Sequence, residues 1–187
     1  MRVPSRAVPV RLLAAGLCAG LLSACDAPAA QAPPGAAIVA APAMEEPLPD
    51  PVAATVARLR DVAATGSHRD LARLASETPN FRSNAAGMTH QDYWYLKLRT
   101  GDWPMAQVER VLAYRFGTTQ TANGKVYVWP WLAALAPDEI TPVAARDIDR
   151  LLGAGQADAL RKGEIWPGYV LGIAEDGTWL YFVSGTG

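Results

Sequence analysis

From residue 51 onward, apolar positions recur three and four apart. Val52, Val56, Leu59 and Ala63 make one stripe, with Arg58, Arg60 and Asp61 largely off it, which predicts an amphipathic helix. Asp50-Pro51 suits the N-cap and first helical position, and Gly66 stands where that helix should stop. Ser67 and Asp70 then have capping-box spacing before Leu71, Leu74 and Ala75, with Thr78-Pro79 as the stop. A short extended piece is expected over residues 81–83. Thr89 and Asp92 repeat the box and introduce a helix carrying Tyr93, Trp94, Leu96 and Lys97, which Gly101 breaks. Asp102 and Pro104 open another, with Met105, Val108, Val111 and Leu112 at helical spacing.

The period changes from 3.6 to 2 after Phe116-Gly117, which leads into a polar turn. Asn123-Gly124 is a strong hairpin signal. Beyond it Val126 and Val128 fall on one side of a strand, and Tyr127, Trp129 and Trp131 on the other; Pro130 marks a sheet edge or a strand end. Thr141-Pro142 caps a helix with Val143, Ile148, Leu151 and Leu152, ended by Gly153, and residues 156–162 form a further short helix. A final hairpin runs over residues 169–174 and 178–183 with Asp176-Gly177 at its tip, Trp179 and Tyr181 alternating against Leu180 and Phe182. The fold class that follows is α+β: several short helices packed on a small antiparallel sheet formed mainly by two C-terminal hairpins.

No such periodicity exists over residues 26–50, which are mostly Ala and Pro and have too little to bury to offset their ordering entropy. Before them stand Arg2, Arg6 and Arg11, an apolar run over residues 12–22, and Leu22-Ser23-Ala24-Cys25. That tetrapeptide resembles the lipobox of bacterial lipoproteins, which implies diacylglyceryl attachment to the Cys25 thiol and cleavage before it. The apolar run is about half of the roughly 20 residues a spanning helix needs, so an uncleaved anchor fits less well, as does plain secretion with a cut after Ala24 or beyond. The expected organisation is a signal peptide over residues 1–24, a lipidated, disordered tether over 25–50 and one globular domain over 51–187. The membrane partner would be held through the N-terminal lipid, facing the periplasm, with Asp26 tilting the choice toward the inner membrane.

Charge and chemistry narrow the function classes. The chain has 17 Lys and Arg against 18 Asp and Glu, and residues 1–24 hold three of the arginines and no acid. The remainder is therefore net acidic, and nucleic acid is not an expected partner. Only Cys18 and Cys25 occur, so the domain has neither a disulfide nor thiolate chemistry. No Gly-x-Ser-x-Gly elbow, Ser-x-x-Lys, dinucleotide fingerprint or phosphate loop is present, and no catalytic residue, metal or cofactor is expected. His68 and His90 each stand beside a helix cap and read as surface residues rather than ligands. The distinctive set is aromatic: Tyr127, Trp129, Trp131, Trp179 and Tyr181. Exposed together they would make a face for stacking on sugar rings or gripping a peptide; the reading we favour is that they fill the core.

Two stretches, Val126-Tyr127-Val128-Trp129-Pro130-Trp131-Leu132-Ala133 and Leu171-Gly172-Ile173-Ala174-Glu175-Asp176-Gly177-Thr178-Trp179-Leu180-Tyr181-Phe182, resemble a group of uncharacterised exported proteobacterial proteins over roughly the last 80 residues. That group implies no activity. The expectation is a non-catalytic envelope lipoprotein whose domain binds another envelope component. The competing class is a periplasmic enzyme, or a small-ligand or glycan binder with an aromatic-lined pocket.

Overall fold

The computed structural model describes residues 47–185. The expectations for residues 1–46, lipidation at Cys25 among them, lie outside the described residues. In chain order come α1 (Asp50–Ala64), α2 (His68–Glu77), α3 (His90–Arg99), α4 (Pro104–Leu112), β1 (Gly117–Thr121) and β2 (Gly124–Trp129). Two 3-10 turns follow (Trp131–Ala134 and Pro137–Glu139), then α5 (Pro142–Leu152), α6 (Gln156–Arg161), β3 (Tyr169–Ala174) and β4 (Trp179–Ser184). The strands form one antiparallel sheet in the order β1-β2-β3-β4, so the fold is α+β with a sheet built mainly from C-terminal hairpins.

Helix starts follow their capping chemistry, with local differences. Ser67 Oγ accepts from the Asp70 amide at 3.2 Å, but the Asp70 carboxylate takes Arg73 at 3.1 Å instead of reaching back to the cap. Thr89 Oγ1 accepts from the Asp92 amide at 3.1 Å and donates its own proton to Asp92 Oδ2 at 2.7 Å. Thr141 caps α5 through the Ala144 amide at 3.2 Å. Asp50 is already the first helical residue of α1 rather than its cap; Pro49 holds that place without a side-chain bond.

Two clusters of buried side chains hold the elements together. The larger lies between α1–α4 and one face of the sheet, where Val52, Leu59, Leu71, Trp94, Val108, Leu171 and Ile173 are fully enclosed. Each such side chain contributes about 1.5–3 kcal/mol relative to exposure. Leu48, ahead of α1, already packs on this cluster. The smaller cluster gathers Leu132, Ile140, Ala144, Ile148, Ala157, Leu160 and Trp166 from α5, α6 and the segments beside them. Asp149 Oδ1 accepts from the Ala157 amide at 2.9 Å, which fixes the start of α6 on α5. The 3-10 turn at Trp131–Ala134 lies across the other face of β1: a Cβ on Gly117 would stand 2.8 Å from that of Ala134, so only glycine fits there.

The outer edge of β4 is covered by the segment after α2. Arg82 N donates to Leu180 O and Phe182 N to Arg82 O, each at 3.0 Å, and Ser184 N donates to Asn84 Oδ1 at 2.8 Å. The expected extended piece at residues 81–83 is this single parallel bridge between Arg82 and Tyr181.

Candidate functional site

The five aromatic residues singled out above do not share a face. Tyr127, Trp129 and Trp179 are 3%, 3% and 2% exposed and belong to the larger core. Trp131 is not on the strand at all. β2 ends at Trp129, Pro130 has no N–H to continue the ladder, and the Trp131 amide turns away to donate to Arg115 O at 2.9 Å. Its ring meets the Arg115 guanidinium at 4.9 Å. Trp179 and Tyr181 also part company, against the expected alternation. The ladder pairs Gly172 with Tyr181 but Ile173 with Trp179, a bulge that puts one extra residue, Leu180, into β4. Trp179 and Phe182 therefore both face the core, and Tyr181 faces the opposite side, its ring lying over Gly172 where any Cβ would collide with it.

Trp129, Trp131 and Tyr181 each border a depression, and those beside Tyr181 are the larger, at the outer face of the sheet. Val126 and Ala174, cross-strand partners of β2 and β3, line the groove beside Tyr181 together with Thr119 and Thr121 of β1. Tyr181 and Arg82 border it from the β4 side, and its volume is about 460 Å³. A second depression of about 550 Å³ shares Arg82, Thr121 and Tyr181 with the first and adds Ser83, Asn84 and Val183. The Arg82 guanidinium lies 5.5 Å from the centre of the Tyr181 ring, so the pair forms a ridge common to both. None of the five ion pairs among the described residues involves Arg82. Burial pushes the Tyr181 phenol above its ordinary range, with Arg82 acting in the opposite sense, so the hydroxyl stays protonated and both donates and accepts.

A separate polar centre ties the α3–α4 connection to β3. Tyr169 donates to Asp102 Oδ2 at 2.6 Å, Lys97 Nζ meets the same oxygen at 2.9 Å, and Gln107 Nε2 donates to Oδ1 at 3.4 Å. Burial acts to raise the Asp102 carboxyl, but these hydrogen bonds and the Lys97 charge outweigh it and hold the group below the usual carboxylate range. Lys97 is held above its ordinary value: burial opposes this, and the Asp102 bond and the neighbouring charges prevail. Tyr169 is driven up first by burial and then by Asp102. Near Arg82, Ser83 Oγ lies 2.9 Å from His90 Nδ1, and burial lowers the His90 pKa. Every resolved shift in the domain, Asp176 included, thus moves its group away from neutrality.

Among the described residues no three His, Cys, Asp or Glu side chains are grouped to hold a metal, and no helix is long and apolar enough to cross a membrane. Arg82, Thr119 and Thr121 escaped the sequence reading. The signal for the threonines was the hairpin itself: the tip lies at Ala122-Asn123 with Thr121 opposite Gly124, so a strand had to precede it where a polar turn was expected. Compared with known proteins, the chain matches no family model, no curated protein and no solved structure.

Proposed function

We propose that this chain is a lipid-anchored envelope protein whose domain is a non-catalytic binding module, gripping a glycan strand in the groove beside Tyr181. The observation that carries the reading is the Arg82–Tyr181 ridge between two contiguous depressions. Adjacent depressions sharing one aromatic ridge suit a linear polymer whose successive units sit on either side. Sugar hydroxyls donate and accept at once, and the threonine, serine, asparagine and tyrosine groups of these walls do the same. The tyrosine adds its hydroxyl to these polar walls, and the guanidinium held over its ring favours a glycan that carries acid groups. Strand addition of a peptide at the β4 edge is blocked, because residues 82–84 already occupy it.

The test is co-sedimentation of the detergent-solubilised full chain with isolated, insoluble envelope glycan. Parent protein should pellet with it, and Arg82→Gln, an exposed side-chain change, should weaken retention about tenfold, the factor expected of a charge-assisted hydrogen bond. Equal retention of parent and variant, or none of either, refutes the glycan reading. The anchor is tested apart: Cys25→Ala should lose acyl mass and detergent partitioning, and unchanged mass and partitioning would refute it.

A further inference from the structure

A separate, smaller cavity lies between α4, the C-terminal end of α5 and the segment leading into β3. Its volume is about 160 Å³. For scale, an apolar cavity of about 150 Å³ holds a benzene ring. Val111, Pro130, Leu151 and Leu152 give it aliphatic walls, and Tyr114, Trp166 and Tyr169 give it aromatic ones.

Arg110 is the one charged side chain that borders this space. Arg110 stands exposed at the rim; its one contact is a long 3.5 Å bond from Nη2 to Leu151 O, which leaves the rest of its guanidinium fork unspent. None of the five ion pairs among the described residues includes it. Tyr114 adds a phenol at the same rim. Within the wall, Trp166 is 9% exposed and its indole N–H has no acceptor. That N–H is closed off from the cavity, so Trp166 contributes its ring to the wall. Gly168 lets two of the walls close up against its backbone: a Cβ there would lie 3.0 Å from Trp166 Nε1 and 2.8 Å from Leu152 Cδ2 and would force them to shift. No carboxylate lines the cavity. The nearest acid in the hydrogen-bond network, Asp102, touches two wall residues, Gln107 and Tyr169, and is neutralised by Lys97 at 2.9 Å.

An apolar space the size of one ring, with a cation as its one charged neighbour, selects an anion with a small hydrophobic body. We infer that this cavity is a ligand site, separate from the groove beside Tyr181, that takes a small monocarboxylate about the size of benzoate. Its ring fills the aliphatic and aromatic walls and its carboxylate meets Arg110, a charge-assisted pair at the mouth.

Isothermal titration of the detergent-solubilised full chain, with detergent-only blanks, tests this with benzoate, neutral benzamide and cationic benzylamine. Benzoate should bind about tenfold more tightly than benzamide, the difference one charge-assisted hydrogen bond sustains, and benzylamine should not bind. Arg110→Met, on the exposed rim, should erase that preference. Gly168→Ala, which shifts those two walls, should abolish benzoate binding. Three results each overturn the inference: no saturable heat with benzoate, benzamide binding as well as benzoate, or an Arg110→Met protein that keeps the parent preference. Sedimentation on glycan is read independently, so loss of one site leaves the other standing.

Discussion

Gly172→Ala gives a stringent test of the sheet geometry, because the structure makes its effect depend on one other residue. The new Cβ would occupy the space of the Tyr181 ring, so the ring must be displaced from the outer face of the sheet. Overpacking of this kind costs about 1–3 kcal/mol. Tyr181→Ala alone should cost about 1–2 kcal/mol, since the ring is half-buried and loses only part of its burial energy. With the ring gone, the objection to a Cβ disappears, and Ala in a strand is better than Gly by about 0.5–1 kcal/mol. Gly172→Ala should therefore change sign in the Tyr181→Ala background, a coupling of about 1.5–4 kcal/mol. Urea unfolding followed by tryptophan fluorescence and circular dichroism closes the cycle. If Gly172→Ala costs the same with and without Tyr181, the ring does not lie over Gly172 and the bulge has been misplaced.

Three further outcomes are expected. Trp179→Ala, which empties a 2% exposed site packed on Phe81 and Trp94, should destabilise by about 3–5 kcal/mol; a near-parent melting temperature refutes its core role. Gly177→Val should lower the melting temperature markedly, since φ there is +88° and a Cβ would stand 2.7 Å from Pro51 O; an unchanged midpoint refutes that close approach. Asp102 has a depressed folded pKa, so its contribution is full above the ordinary carboxylate value of about 3.9 and is lost as pH falls through the lower folded value. Asp102→Asn should thus be less stable than the parent at pH 7, with the gap closing toward pH 2; parallel curves in urea titrations across that range refute the assignment.

Much of the helical layer was legible because each helix carries its own punctuation. Ser67, Thr89 and Thr141 cap where the spacing placed them, and Gly66, Gly101 and Gly153 stand where the helices stop. The sheet was read less completely, for a reason of register. A bulge leaves no compositional trace, so strict alternation put Trp179 with Tyr181 when Trp179 belongs with Phe182. β1 was missed because Gly117–Thr121 is nearly all polar and largely exposed, with no apolar face to betray a period of two. The groove was out of reach for a different cause. Arg82 lies 99 positions from Tyr181, and nothing local announces that the bridge between them will form.

The bond from Thr55 Oγ1 to Gly177 O spans 122 positions, and Pro51 presses on the same turn. The first helix of the domain is thus seated by the turn of its last hairpin. The apolar sides of α1–α4 pack on one another and on Leu171, Ile173, Trp179 and Phe182, so the helical layer and the sheet share one core. Closing that core needs contacts far apart in sequence, and loop closure of that kind slows folding relative to helix formation. A chain stripped of β3 and β4 would leave the sheet-facing side of its helical layer open to whatever chaperone or protease meets it first.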